Sequence, residues 1–215
     1  MATREVRAPG SNDPLPLRVV PANAAPWQDV EQVLGKARCH GGLCYCQRFK
    51  LGWSSWTGAT AMTDEERAHR LREQTDCGHP ESDSTSGLLA YADGEPIGWC
   101  NVEPRTAFPY LPGTRIAWKK RGEDKNDGTV WAVACFVTNT EFRHSGVSRA
   151  LAAAAVDFAR ERGARALEGY PMITESGTDV TWGELHVGSR SIFAGAGFRE
   201  VAQPSLRRVV MRLDF

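Results

Sequence analysis

The sequence lacks an excess of charge of either sign, and it lacks any long apolar run. Its 26 lysine and arginine residues balance its 26 aspartate and glutamate residues. Because nucleic-acid-binding domains usually carry a basic surface, the composition predicts no nucleic-acid partner. The first ten residues lack the apolar centre of a signal peptide, and no run approaches a membrane span. We therefore expect a soluble, cytoplasmic protein with no membrane partner.

Several ligand-binding motifs are also absent. No Gly-Lys-Ser/Thr of a Walker phosphate loop occurs, and neither does the G-x-G-x-x-G of a dinucleotide-binding turn. Cys39, Cys44 and Cys46 lie close together, but they do not form the C-x2-C pairs of structural zinc sites. We expect no metal there. A zinc site completed by Cys77 and His79 remains the alternative, and disulfides are disfavoured in the cytoplasm.

The length of 215 residues suits one domain. Residues 1–16 are polar and rich in proline, which predicts a flexible N-terminal arm before a single domain over residues 17–215. Apolar patterns and caps predict strands and helices in mixed order, and therefore a mixed α/β sheet flanked by helices. The predicted strands are 17–20, 86–92, 97–103, 130–137, 166–170 and 209–215; the predicted helices are 26–35, 63–74, 147–163 and a short one before residue 196.

Two stretches stand out in that order. Residues 86–103 read as a hairpin, with Asp93-Gly94 as the turn between two apolar runs. Residues 129–163 read as a strand buried on both faces, a polar turn, and a helix that stops at Gly163. Gly146 lies where that helix begins. A helix start has unpaired N–H groups and the positive end of its dipole, so this turn suits a phosphate or pyrophosphate.

The pattern R-x-x-G-x-S after a buried strand resembles the acyl-CoA pyrophosphate loop of the GNAT N-acetyltransferases. The hairpin DGEPIGW and the end motif SIFAGAGF follow in the order that this superfamily has. The combination of GWC, EPR, VACF, EGYP and AGF is similar to a bacterial branch of it. The resemblance covers residues 86–215. It implies a mostly antiparallel sheet splayed between the fourth and fifth strands, acetyl-CoA as co-substrate, and direct acetyl transfer to an amine.

The resemblance also implies roles for particular residues. Phe136 and Thr138 lie where strand backbone groups bind the pantetheine arm and the thioester, and donors near Phe136 and Val137 would form the oxyanion site. The pyrophosphate would be held by Arg143, His144, Ser145, Gly146, Val147 and Ser148.

One position departs from the family pattern. Many GNAT enzymes have a tyrosine, four residues before the glycine of the final Gly-Phe, that protonates the departing CoA thiolate; here it is Phe193. A thiol of pKa about 8.5 lies about 1.5 units above neutrality, so its protonation is worth about 2 kcal/mol at most. Tyr170, Ser191 or water could therefore supply the proton.

The general base is a larger requirement. An amine of pKa about 10.4 is neutral in about one molecule in 2,500 at pH 7, so a base recovers up to about 4.6 kcal/mol. Glu168, on the strand beside the expected thioester, is the first candidate, followed by Glu103 and His186. A salt bridge at the strand end is the alternative role of Glu168.

Two functions fit these residues. The first is acetyl transfer from acetyl-CoA to a primary amine of a small molecule, by a monomer or a homodimer. The second is an acyl-CoA-binding sensor or regulatory domain without turnover, which the phenylalanine at position 193 and the open choice of base keep in view. A redox or zinc module on the cysteine cluster is a more distant alternative. The sequence leaves the acceptor amine open.

Overall fold

The computed structural model describes residues 4–8, 10, 13–39, 42–119, 121–174 and 180–215. Its main element is an eight-stranded sheet of order β1-β2-β5-β6-β7-β8-β10-β9, accompanied by a two-stranded sheet. The strands are β1 Arg4–Arg7, β2 Pro14–Pro21, β3 Arg38–Cys39, β4 Gly42–Leu43, β5 Leu88–Ala92, β6 Glu95–Pro104, β7 Val130–Thr138, β8 Ala166–Gly169, β9 Arg199–Ser205 and β10 Arg208–Asp214. The helices are α1 Trp27–Leu34, α2 Asp64–Thr75, α3 Arg115–Trp118, α4 Val147–Glu161, α5 Trp182–Leu185 and α6 Arg190–Gly195.

The pairing of β7 with β8 is the one parallel pairing of the large sheet within the described residues. A parallel pair needs a crossover, and α4 provides it. The two strands are paired from Val130 and Ala166 to Val133 and Gly169, where β8 ends. Beyond that point β7 continues to Thr138 without β8 beside it. The predicted mixed, mostly antiparallel sheet with flanking helices is confirmed.

The helices begin where the sequence places their caps. Thr63 and Glu66 form a reciprocal capping box at the start of α2, with the Glu66 N–H donating to Thr63 Oγ1 at 3.1 Å. The predicted hairpin turn is also present, because Asp93 and Gly94 both have positive φ, at 47° and 83°.

Helix α4 packs on the sheet through its small and apolar face. Gly98 on β6 makes this approach possible, since a Cβ there would lie 2.7 Å from Val147 Cγ1 and 3.3 Å from Leu151 Cδ1. The absent side chain lets the first turn of α4 rest directly on the strand. The start of α4 is thereby fixed beside the last residues of β7.

The two faces of the sheet bury different clusters. Phe136 packs with Val147 and Leu151 on the face that α4 covers. Cys135 and Val137 pack with the apolar side of α1 on the opposite face. The core therefore extends through both faces of β7, as the continuous apolar run of this strand predicts.

The N-terminal segment differs from the predicted loose arm. Arg4–Arg7 forms an antiparallel pair with residues 14–17, and the Arg7 N–H donates to the Ser145 carbonyl at 3.0 Å. A strand is possible here because Val6 and Leu17 alternate with polar residues and bury their side chains. The prediction missed this strand because prolines flank such a short pattern. No helix in the described part of the chain is long and apolar enough to cross a membrane.

Candidate active site

A cleft of about 650 Å³ opens between the start of α4, the end of β7 and the segment that leads into α6. It lies at the place where β7 continues beyond the end of β8. Its lining residues are Phe136, Thr138, Phe142, Arg143, His144, Gly146, Val147, Ser148, Arg149, Thr174, Val180, Leu185, Gly188, Ser189, Ser191 and Ile192. Most of the residues predicted to bind the co-substrate are therefore brought together on one surface.

The start of α4 is open toward this cleft. Gly146 is the N-cap residue, has a φ of 105°, and provides no side-chain capping bond. A Cβ on Gly146 would have no atom within 4 Å, so space lies directly beside the backbone. Unlike α2, which Thr63 caps, α4 leaves its first-turn N–H groups without a side-chain acceptor. Such a helix start attracts an anion.

The charge around the cleft suits the same ligand. Arg143, His144 and Arg149 line it, and its described lining includes no aspartate or glutamate. The Thr138 and Ser148 hydroxyl oxygens lie 3.3 Å apart and connect the end of β7 to the first turn of α4. The cleft is therefore polar and basic at one end.

The exposed edge of β7 provides the second recognition element. The Phe136 N–H points away from β6, since it donates to a carbonyl outside the sheet. Backbone groups alternate along a strand, so those of Thr138 also point outward, while those of Val137 point toward β6. Val137 is thus not an oxyanion donor at this edge. Ser145 likewise does not line the cleft, because its hydroxyl donates to the Phe142 carbonyl at 2.5 Å.

A β-bulge marks the point where the two halves of β7 meet. Asn101 is paired with Cys135 and Val102 with Val133, which leaves Ala134 as an extra residue on β7. A bulge increases the local twist and redirects the strand beyond it. This bulge carried no sequence signal, since alanine within an apolar strand is unremarkable, and the sequence interpretation did not include it.

The outward N–H of Phe136 already has a partner. It donates to the carbonyl of His186 at 2.6 Å. His186 lies just after α5, in a segment of residues 180–188 that we call the strap. Sequence reasoning treated this region as a loop and gave no reason to place it against β7. The masked neighbours at residues 175–179 lie outside the described residues.

The surroundings of Glu168 do not fit a general base. Its carboxylate is fully buried and is surrounded by guanidinium groups. Oε1 accepts from Arg121 at 2.5 Å and from Arg212 at 2.9 Å, and Oε2 lies 3.5 Å from Arg105. Burial lowers the pKa of Arg121, but its bonds to Glu168 and Glu123 raise it overall. Glu168 thus joins three arginines in a buried ion cluster, as the alternative interpretation held.

Tyr170 belongs to the same cluster. Its hydroxyl donates to Glu168 Oε2 at 3.2 Å, and its ring is completely buried away from the cleft. Burial and the charge of Glu168 raise the pKa of this phenol well above its usual value. Tyr170 is therefore not positioned to protonate a thiolate in the cleft.

Ser191 and Phe193 occupy different positions at the start of α6. Ser191 lines the cleft, and its Oγ lies 3.0 Å from that of Ser189. Phe193 is fully buried in edge-to-face contact with Phe136 and Phe198. Its ring lies over Gly169, where a Cβ would approach it to 2.1 Å. The phenylalanine is an element of core packing, and the serine pair is the hydroxyl source at the cleft.

Glu103 has a different environment from Glu168. Its Oε1 is 2.5 Å from Lys50 Nζ and accepts from Ser86 Oγ at 2.5 Å and from Asn101 Nδ2 at 3.0 Å. Its Oε2 makes no hydrogen bond with any described residue. The side chain retains 10% exposure. One carboxylate oxygen is anchored, and the other is available.

The cysteine cluster shows no metal geometry in the described part of the chain. Cys46 is buried and accepts from Trp99 Nε1 at 3.0 Å, and burial raises the pKa of its thiol. No group of three or more histidine, cysteine, aspartate or glutamate residues there could hold a metal ion. The side chain of Cys39 and all of His40 lie outside the described residues. The absence of a metal stays a prediction.

The fold and cleft define an acyl-CoA-dependent transferase, and sequence comparison identifies the family. A model of the acetyltransferase (GNAT) family matches residues 50–170, more than half of the chain. The chain belongs to the GNAT family, whose members are acetyltransferases that use acetyl-CoA. A search of the curated proteins found no match.

Solved structures show the same fold at low sequence identity. The GNAT domain of Streptomyces lividans PAT is 15% identical, with 99% of this chain and 97% of that chain covered and a TM-score of 0.51. The ribosomal-protein-alanine N-acetyltransferase of Brucella melitensis is 16% identical over 93% and 99%, with a TM-score of 0.49. Salmonella typhimurium yncA, solved with acetyl-CoA, is 15% identical over 92% and 93%, at 0.49.

Proposed function

We propose that the protein transfers the acetyl group of acetyl-CoA to a primary amine of a small molecule, by direct attack of the amine on the thioester. The observation that carries this proposal is one cleft that contains both an uncapped helix start, at Gly146, and an exposed strand edge, at Phe136 and Thr138. The first suits a pyrophosphate, and the second suits an amide-containing arm.

The co-substrate then follows from one end of the cleft to the other. The pyrophosphate is held by the N–H groups of the first turn of α4, with Arg143 and Arg149 beside it. The pantetheine amides pair with the outward backbone groups of Thr138. The thioester carbonyl reaches the N–H of Phe136, which stabilises the negative charge that develops on this oxygen during attack.

Glu103 replaces Glu168 as the proposed general base. It lies opposite Ala132 on the neighbouring strand, and its Oε2 is available while Lys50, Ser86 and Asn101 hold Oε1. Ala132 is four residues from Phe136, which is about 13 Å along a strand, so Glu103 accepts the amine proton through water. His186 is the second candidate.

The departing thiolate is protonated from the cleft. Ser191 is exposed there beside Ser189, and their hydroxyl contact of 3.0 Å can deliver a proton from solvent. Because the step is worth only about 2 kcal/mol near neutral pH, no tyrosine is needed.

A direct assay tests this function. The protein is incubated with acetyl-CoA and a panel of polyamines, amino acids, aminoglycosides and short peptides, and released CoA is measured with a thiol reagent. We expect turnover with at least one small amine above that with peptides. Tight binding of acetyl-CoA without turnover on any amine would instead support a sensor domain. Turnover confined to peptides would contradict a small-molecule acceptor.

A further inference from the structure

The strap, residues 180–188, crosses the exposed edge of β7 at the position proposed for the thioester. Its contact with the strand is a backbone hydrogen bond, from the Phe136 N–H to the His186 carbonyl at 2.6 Å. A single N–H cannot donate with full strength to this carbonyl and to a thioester carbonyl at once. The strap and the bound co-substrate therefore compete for the same donor.

The strap is held in place at its C-terminal end by close packing. The Gly188 N–H donates to the Leu185 carbonyl at 2.8 Å, and the Met172 N–H donates to the Gly188 carbonyl at 3.0 Å. A Cβ on Gly188 would lie 3.0 Å from Phe136 Cε2 and 3.1 Å from Phe193 Cε2. Only glycine permits this contact at a φ of 79°.

The N-terminal end of the strap is held by polar contacts. Thr181 and Glu184 form a capping box, with the Thr181 N–H donating to Glu184 Oε2 at 3.1 Å. Glu184 also pairs with Arg207 at 3.1 Å, which ties the strap to the segment between β9 and β10. Both ends thus favour the position in which the His186 carbonyl faces Phe136.

We propose that the strap is an autoinhibitory contact, which acetyl-CoA must displace from β7 before the Phe136 N–H can bind the thioester carbonyl. The inference rests on the proposed function, since it concerns the same cleft. In the free protein the strap takes the place of the ligand at this donor. The apparent affinity for acetyl-CoA is then reduced by the fraction of molecules in which the strap is docked.

Hydrogen exchange of the unaltered protein gives the first test. Adding acetyl-CoA should increase exchange of peptides from residues 181–188 while β7 stays protected. Stronger protection of these residues would overturn the proposal, because it would mean that the strap closes over the ligand rather than leaving.

Gly188→Ala gives the second test. Its methyl group presses on two aromatic rings in a strained backbone conformation, so it disfavours the docked strap. We expect calorimetry to show acetyl-CoA binding at least about fivefold more tightly, with a faster association rate. Gly195→Ala is the matched control, because its Cβ would meet no atom within 4 Å and its φ is not positive. The control should bind as the unaltered protein does.

Glu184→Gln provides a milder variant, which removes the charge pair with Arg207 while Gly188 is kept. It should shift affinity in the same direction by a smaller factor. If both variants fold and bind acetyl-CoA no more tightly than the unaltered protein, the strap is not inhibitory. If no form binds acetyl-CoA, the proposed function fails and this inference with it.

Discussion

The two halves of β7 have nearly the same composition but opposite surroundings. Residues 130–133 are paired with β6 on one edge and β8 on the other. Residues 134–138 keep β6 but lose β8, and in its place the strap offers the His186 carbonyl. The first half is closed and supports the sheet. The second half has an open edge, which is what a ligand with amide groups requires.

Each half has one glutamate that the sequence offered as a base. Glu168 follows the closed half, where three arginines surround it in full burial. Glu103 has a single lysine as its ionic partner and keeps one oxygen available. The comparison indicates that a buried carboxylate with many partners stabilises the fold, whereas one with an available oxygen can accept a proton. Three variants test it.

Glu168→Gln should have the largest effect, and it should act on stability. Removing one member of a buried ion cluster leaves the arginines without their partner, which costs about 3–5 kcal/mol. For a chain of this size the melting temperature should fall by about 6–20 °C, measured by calorimetry. Glu123→Gln is the control, because Glu123 joins the same arginines from the half-exposed side and should cost about 1 kcal/mol or less. An unchanged melting temperature with lost turnover would return Glu168 to the role of base.

Glu103→Gln should reduce turnover at neutral pH by about 100-fold, with the affinity for acetyl-CoA nearly unchanged. The loss should shrink as pH rises toward the pKa of the acceptor, because neutral amine then becomes abundant. Glu95→Gln, an exposed glutamate of the same strand, serves as the control and should leave the pH profile unaltered. Turnover of Glu103→Gln that matches the unaltered enzyme at every pH would move the search to His186.

Phe193→Leu should have the smallest effect. The ring packs against Phe136 and Phe198 and donates no proton, so the substitution acts through packing. We expect a stability loss of about 1–2 kcal/mol and less than about a tenfold loss of turnover. A loss of turnover above about 100-fold in a folded variant would show that this ring contributes directly to catalysis.

The sequence predicted most of the framework for local reasons. Thr63 with Glu66, Asp93 with Gly94, and Gly146 each have a conformational preference that acts within a few residues. The bulge at Ala134, the burial of Glu168 and the position of His186 depend on contacts between distant segments. Nothing in the uniformly apolar run of β7 distinguishes its closed half from its open half, so that division became visible only in the fold.

The central claim is that acetyl-CoA binds between the start of α4 and the open half of β7. Calorimetric titration of CoA into Gly146→Trp tests it most directly, since a side chain there meets no protein atom and must extend into the cleft. Gly146→Ala is the control for backbone strain, because it carries the same φ with little bulk. We expect the tryptophan variant to lose at least about 100-fold in affinity and the alanine variant less than about tenfold. A folded Gly146→Trp protein that binds CoA as the unaltered protein does would contradict the account.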